Sequence, residues 1–305
     1  MNDFVLAVHG GAGTLSEDPA YREAVQAGLL DALETGRAVL AQGEGALEAV
    51  VAAVACLEAC EVLNAGRGGV LNELGDIELD ASVMEGTARR AGAVAGVSHL
   101  AHPVAAARAL LEEGRHVLVF GESAEAWALD QGCAAASPSE LITSFREAQL
   151  ERVLSQRELP EGGSTVGAVA RDREGRLAAA TSTGGTVGKR SGRISDSAII
   201  GAGTWADDLT CAVSATGEGE FFIRSGFARS VDMRLRYTEL ALDAACAEAL
   251  AEVLELGGSG GCIALDPRGG FSLRCNTAAM ARGMLRGSAP VELAIDADEA
   301  LRPVG

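Results

Sequence analysis

The stretch EGGSTVGAVA, residues 161–170, sets a turn against a strand. Glu161, Gly162 and Gly163 are poor carriers of regular structure. An apolar run begins abruptly at Thr165. Two readings compete for that threonine: a solvent-capped strand start, or the point at which the chain is cut. Downstream, TVGAVARD (165–172), a turn at 172–175 and RLAAATSTGG (176–185) read as a hairpin.

Upstream, FVLAVHGGAG (4–13) reads as a buried strand entering a glycine turn. Val25, Leu29, Ala32 and Val39 recur at helical spacing within 20–42, and ALEAVVAAVACLEAC (46–60) is apolar all round, as a buried helix is. DIELDASVMEG (76–86) alternates like a half-buried strand, and AGAVAGV (91–97) follows it. Pro103 opens a helix, and HVLVFG (116–121) is a short strand. Residues 134–164 read as polar, their last part loose and exposed. Beyond the hairpin, strands are expected around 199–203, 210–216 and 220–224, a helix over about 233–254, and a hairpin in CIALDPRGGFSLRCN (262–276). Helices packed outside a layered antiparallel sheet core follow from this order.

The 305 residues allow one large domain or two small ones. A net charge of −18 repels phosphate backbones and anionic lipid, which argues against nucleic-acid and membrane partners. No apolar run reaches the roughly 18 residues of a membrane span, and the first residues, MNDFVLAVHG, show no signal peptide. The seven cysteines sit without neighbouring histidines, so they are expected to be reduced and the compartment cytoplasmic.

Chemistry-bearing residues are few. HGGAG (9–13) and GGSGG (257–261) lack the spacing of phosphate loops. His9, His99, His102 and His116 are scattered, which disfavours zinc, and no GxSxG elbow is present. Thr165, Thr181, Thr183 and Thr216 stand at strand ends beside glycines, facing a cleft or merely filling strands. A threonine nucleophile needs a base, and the residue's own freed α-amine can serve. Arg193 and Asp196 form either a surface ion pair or a clamp for the carboxylate and ammonium of an amino acid.

With HGGAG, LNAGRG (63–68), LDASVMEG (79–86), TVGAVARD, AAATSTGG (178–185), GRISDS (192–197), GAGTWAD (201–207), SATGEGE (214–220) and GGSGG in this order, the whole chain resembles the plant-type L-asparaginase/isoaspartyl peptidase family of N-terminal-nucleophile hydrolases. The resemblance implies an α+β fold, a four-layer αββα sandwich, spanning 1–305 as a single domain made as a precursor. Self-cleavage between Ser164 and Thr165 would give an α subunit of 1–164 and a β subunit of 165–305. Two such αβ units would pair as a homodimer. Thr165 would be the nucleophile and its amine the base, with Thr183 orienting its hydroxyl and Thr216 and Gly217 forming the oxyanion hole. Arg193 and Asp196 would grip the substrate, with Gly219, Asn64 and Gly11 in support. No cofactor is implied for catalysis. A structural sodium ion would rest on backbone carbonyls of Leu57, Glu58, Cys60, Leu63, Ala65 and Arg67.

The implied reaction is hydrolysis of the β-amide of L-asparagine and of β-aspartyl dipeptides. Family members usually carry glycine where this chain has Ser164 and Ser195, and often asparagine at Cys60; slow self-cleavage is the expectation at Ser164. The tail LRCNTAAMARGML (273–285) differs from the family's usual wording. Two other readings stand beside this one: a glycosylasparaginase-like amidase, and a non-enzymatic metabolite-binding α/β module using HGGAG as an anion turn.

Overall fold

A computed structural model describes residues 3–156 and 165–304; the cleavage residue Ser164 lies outside the described residues. The strands are β1 (Val5–Gly13), β2 (Leu79–Glu85), β3 (Ala91–Val97), β4 (Leu118–Phe120), β5 (Val166–Arg171), β6 (Leu177–Thr183), β7 (Thr204–Asp207), β8 (Cys211–Gly217), β9 (Gly260–Leu265), β10 (Phe271–Cys275), β11 (Ala279–Arg286), β12 (Val291–Asp296) and β13 (Arg302–Val304). They make a nine-stranded sheet, β13-β12-β11-β1-β5-β6-β2-β3-β4, and a four-stranded sheet, β10-β9-β8-β7. Pairing is antiparallel apart from β3 with β4.

Helices cover both outer faces. α1 (Pro19–Ala41), α2 (Ala46–Glu58) and α3 (Pro103–Glu113) lie over the large sheet, followed in the chain by α4 (Gly121–Asp130), α5 (Pro138–Leu141) and α6 (Ser144–Gln156). α7 (Gly219–Ser225), α8 (Phe227–Tyr237) and α9 (Leu242–Glu255) pack against the small sheet. α1 starts where Asp18 accepts the Ala20 N–H at 3.0 Å, with Pro19 in the first turn, and stops before Gly43 at φ 90°.

Side-chain alternation assigns each strand residue to a layer. Leu6 and Val8 of β1, Val166, Ala168 and Ala170 of β5, and Ala178 and Ala180 of β6 face the helices with Leu29, Leu33, Val50 and Leu57. Val213 and Ala215 of β8 face Phe222, Phe227 and Val253 on the opposite outside. Between the sheets lie Val5, Ala7, Val169, Leu177, Ala179, Ile263 and Leu265. These three apolar layers define a four-layer αββα sandwich. Strands buried on both faces read as continuous small apolar runs, and the abundant alanines allow the layers close approach.

The layer between the sheets changes character along its length. Beyond the apolar end, the inward positions carry His9, Asp80, Ser82, Thr181, Thr183, Thr204, Ser214 and Thr216, all with essentially no exposure. Buried polar groups require partners, and this end of the layer holds the candidate site.

Several local expectations are corrected. HGGAG continues β1 rather than turning, with a register irregularity between His9 and Gly11, where Gly11 takes φ 112°. The polar stretch from 134 carries α5 and α6, and the part expected to be loose, 157–164, lies outside the described residues; Arg146 donates to the Gly68 and Val62 carbonyls, and Phe145 stacks on Tyr21. The run 220–224 lies in α7 and not in a strand. Residues 199–203 are turn rather than strand, the strand forming at 204–207, and the single helix expected at 233–254 is α8 and α9, broken at Thr238. The tail supplies three further strands, β11 pairing with β1.

Candidate active site

Thr165 lies one residue before β5 and is 4 % exposed. β5 pairs with β6 so that Val166 opposes Ser182. Thr183 therefore stands across from Thr165, whose Oγ1 donates to Thr183 Oγ1 at 3.2 Å. Thr183 Oγ1 also accepts the Gly185 N–H at 2.9 Å.

Thr216 reaches the same point from the other sheet. Its Oγ1 accepts two backbone N–H groups, from Ala12 at 3.2 Å and from Thr165 at 3.3 Å. Both lone pairs are then engaged, and among the described residues its hydroxyl proton is left to be donated. Gly217 follows at φ 149°; a Cβ there would lie 2.6 Å from Gly260 Cα and 2.9 Å from the Phe222 ring. The glycines of GGSGG serve this approach: Gly258 abuts the Phe221 ring, and Gly260 the Thr216 carbonyl and Phe222. They are packing glycines rather than an anion loop.

The expected substrate clamp is assembled next to these threonines. Asp196 begins a short 3-10 turn, is 2 % exposed, and leaves Oδ2 without a hydrogen-bond partner among the described residues. Burial pushes its carboxyl up to about 7, against the pull of the nearby Arg193. A buried, unpartnered acceptor of this kind fits an incoming ammonium. Gly219 lies over both clamp residues: a Cβ there would sit 2.6 Å from Asp196 Oδ1 and 2.9 Å from Arg193 Nη2.

Arg193 makes no ion pair with Asp196 among the described residues. Its Nε and Nη2 each donate to Glu220, both at 2.9 Å, and this pairing lowers the Glu220 carboxyl. Nη1 is turned toward Gly185, where a Cβ would lie 3.2 Å away. The guanidinium therefore keeps an edge for a second carboxylate. Lys189, the chain's single lysine, is buried beside it, donates to the Glu78 carbonyl at 2.7 Å, and has its amine lowered by burial.

Asn64 ties the loop after α2 to this end of β6: Nδ2 donates to the Gly185 carbonyl at 2.7 Å, and Oδ1 accepts Val70 N–H at 2.8 Å. Gly11 precedes Ala12, whose N–H meets Thr216. Leu57 and Glu58 end α2, and Cys60, Leu63, Ala65 and Arg67 lie in the tight loop that follows, closed by Arg67 N–H on the Glu58 carbonyl at 2.8 Å and Leu63 N–H on the Cys60 carbonyl at 3.0 Å. A Cβ at Gly66 would lie 2.5 Å from the Glu58 carbonyl. The Cys60 thiol lies under Gly28 of α1, where a Cβ would stand 2.8 Å from the sulfur.

Thr165, Thr183, Thr216, Gly217, Arg193, Asp196 and Gly219 thus converge. The fourth strand-end threonine, Thr181, is different: it lies inside β6 and hydrogen-bonds into the inter-sheet layer. The four are buried rather than exposed to an open cleft. Sequence reasoning missed Glu220, His9 and Ser214, whose partners are distant in the chain. The seven cysteines are free, and no helix among the described residues is long and apolar enough to cross a membrane.

The asparaginase family profile matches residues 2–295. The chain is 45 % identical to the isoaspartyl peptidase of Salmonella typhimurium over 92 % of its own length and 95 % of that protein's. It is 44 % identical to the isoaspartyl peptidase of Escherichia coli over 92 % of each chain. With the isoaspartyl peptidase/L-asparaginase of Rattus norvegicus it shares 38 % identity, over 90 % of this chain and 84 % of the other. Nearly the whole sandwich, with every residue of the threonine cluster and the clamp, falls within the matched span, and the chain belongs to the asparaginase family.

Proposed function

We propose that this protein hydrolyses the β-amide of L-asparagine and the β-aspartyl bond of isoaspartyl dipeptides, using Thr165 as an amino-terminal nucleophile freed by self-cleavage. The observation that carries this is the meeting of Thr165 Oγ1 with Thr183 and of Thr165 N with Thr216 in one buried cluster. In the uncut chain that nitrogen is an amide and no base. Cleavage converts it to an amine with a reference pKa near 8 and a usable lone pair.

Thr165 Oγ then attacks the side-chain carbonyl carbon while its proton passes to the amine. The oxyanion takes the Thr216 hydroxyl proton and the Gly217 backbone as donors, each such donor contributing on the order of 10²–10³ in rate. The amine returns the proton to the departing ammonia or amino acid, leaving an aspartyl ester on Thr165. Water, deprotonated by the same amine, adds to the ester carbonyl, and the amine passes that proton to Thr165 Oγ as the ester bond breaks and aspartate leaves. Arg193 and Asp196 hold the α-carboxylate and α-ammonium that both substrates share, so only the leaving group differs.

The cut would divide the chain into 1–164 and 165–305 without dismantling it. β1 is hydrogen-bonded between β11 and β5, and β2 between β6 and β3, so the two pieces interleave in one sheet. Two αβ units form the proposed homodimer, and the cytoplasm is the proposed compartment. A sodium ion, a hard cation that takes oxygen ligands, would rest on the backbone carbonyls of Leu57, Glu58, Cys60, Leu63, Ala65 and Arg67 and would stiffen the turn that carries Asn64.

A denaturing gel with fragment masses, followed by release assays on asparagine and β-aspartyl-leucine, tests the proposal. Two fragments meeting before Thr165 and release of ammonia and leucine are expected. An intact chain that nonetheless releases both would refute it.

Asp196 adds a pH signature. An ammonium binds its ionised form, and the carboxyl in the unliganded site titrates at about 7. KM for asparagine should therefore rise about tenfold per unit as pH falls below 7 and level off above it. A KM unchanged between pH 5 and 8.5 would remove Asp196 from the ammonium site.

A further inference from the structure

The ladder between β1 and β5 ends at His9 opposite Gly167, two residues short of the site. The Thr165 carbonyl lies beyond it and takes its bond from a side chain: His9 Nδ1 stands 3.0 Å away. A carbonyl only accepts, so Nδ1 carries the proton. His9 Nε2 then meets Ser214 Oγ at 2.9 Å, Ser214 Oγ meets Thr181 Oγ1 at 2.8 Å, and Thr204 Oγ1 donates to Thr181 at 2.6 Å. Ser82 Oγ lies 2.8 Å from Thr204 and 2.6 Å from the carbonyl of Ser197, the neighbour of Asp196.

The chain of hydroxyls crosses between the sheets repeatedly, from β1 to β8, β6, β7 and β2. Its direction is fixed at one end. Burial pushes the His9 imidazole down to about 3, so the ring is neutral and Nε2 must accept from Ser214. Thr181 donates to Ser214 rather than to the more distant Gly203 carbonyl, at 3.4 Å. Gly167 leaves the room: a Cβ there would lie 2.5 Å from His9 Nε2 and overlap Ser214 Oγ.

We propose that His9, held in its Nδ1–H tautomer by Ser214 and the hydroxyls behind it, is a positioning residue that aims the Thr165 nucleophile and amine. The reasoning rests on the function proposed above. Once cut, Thr165 is tethered covalently only through its carbonyl carbon. The orientation of the peptide plane at that carbonyl then sets where Cα directs both the amine and Oγ. The His9 N–H fixes that plane, and a nucleophile misplaced by about 1 Å costs on the order of 10² in rate.

Two isosteric variants separate positioning from general support. In His9→Asn the side-chain amide N–H can take the place of Nδ1–H; in His9→Gln it lies nearer the place of Nε2. Both lose part of the inter-sheet chain and should lose similar thermal stability. On fully cut protein, His9→Gln should lower kcat on asparagine about 10–100-fold with KM within twofold, while His9→Asn stays within about fivefold of the parent. Equal kcat losses in the two variants, or KM moving as much as kcat, would overturn the proposal. Should neither variant fold, nitrogen NMR of the parent protein decides: a protonated Nδ1 and bare Nε2 at neutral pH are expected, and the opposite tautomer contradicts the assignment. A parent protein without turnover would refute the proposed function instead, and the NMR result would still stand for His9.

Discussion

Thr165→Ala leaves a single uncut chain and lowers hydrolysis of both substrates by about 10⁴-fold or more. The methyl group retains the fold, since the side chain is small and buried at the head of β5. It removes the oxygen needed for both bond-breaking events, so the two losses occur together. Thr165→Ser separates oxygen from shape. The hydroxyl remains, and with it self-cleavage and some turnover. The lost methyl frees χ1, which a β-branched side chain restricts, and loosens the aim at Thr183 Oγ1, 3.2 Å away. A fall of about tenfold in kcat is expected, read from ammonia release on cut protein. A metabolite-binding module would show none of these changes.

Asp196→Asn has opposite effects on activity and stability. The substrate ammonium loses its anionic partner, and deleting one member of a buried charge pair costs on the order of 2–5 kcal/mol, or about 30- to 5000-fold in kcat/KM. The unliganded protein gains. The Asp196 carboxyl titrates at about 7 when folded against 3.8 unfolded, so between those values the folded state holds more protons. Stability falls as pH rises through that window, and the full cost is present above it. The amide escapes the ionisation cost but keeps a buried polar group without partners, leaving a net gain on the order of 1–3 kcal/mol. Thermal midpoints should rise by a few degrees at pH 8.5 and hardly at all at pH 4. An equal shift at both pH values would show that the carboxylate is not the source of strain.

The hairpin from Thr165 to Thr183 was readable because turn chemistry at 172–175 separates two small apolar runs, and the pairing of Val166 with Ser182 follows. The threonines and the clamp were readable as residue types at glycine-flanked strand ends. What brings them together was not. Thr216 meets Thr165 only because the inward parity of β8 matches that of β5 and β6 across the two sheets, a tertiary relation absent from any window of sequence. His9 shows the same limit: within FVLAVHG it is one polar residue in a buried strand, and its partners Thr165 and Ser214 are 156 and 205 positions away.

The misread helices have local causes. EFFIR (220–224) carries consecutive apolar residues that suit a strand as well as a short helix. In α7 it packs Phe222 against Phe227, ring centroids 4.8 Å apart, while Glu220 faces Arg193. SFREAQLERVLSQ (144–156) has little apolar periodicity, and α6 is held by Leu150 and Val153 on the core together with Arg146 on the loop carbonyls. The carbonyl loop itself leaves almost no trace in side chains, apart from glycines such as Gly66, at φ 50°.

The claim on which the rest depends is that the Thr165 nitrogen becomes catalytic only when it ceases to be an amide. It is tested most directly by sampling freshly made precursor during maturation, measuring the cut fraction by mass and the asparagine turnover of each sample. Turnover should rise in proportion to the cut fraction and extrapolate to zero for the intact chain. Substantial turnover at zero cleavage would contradict the account.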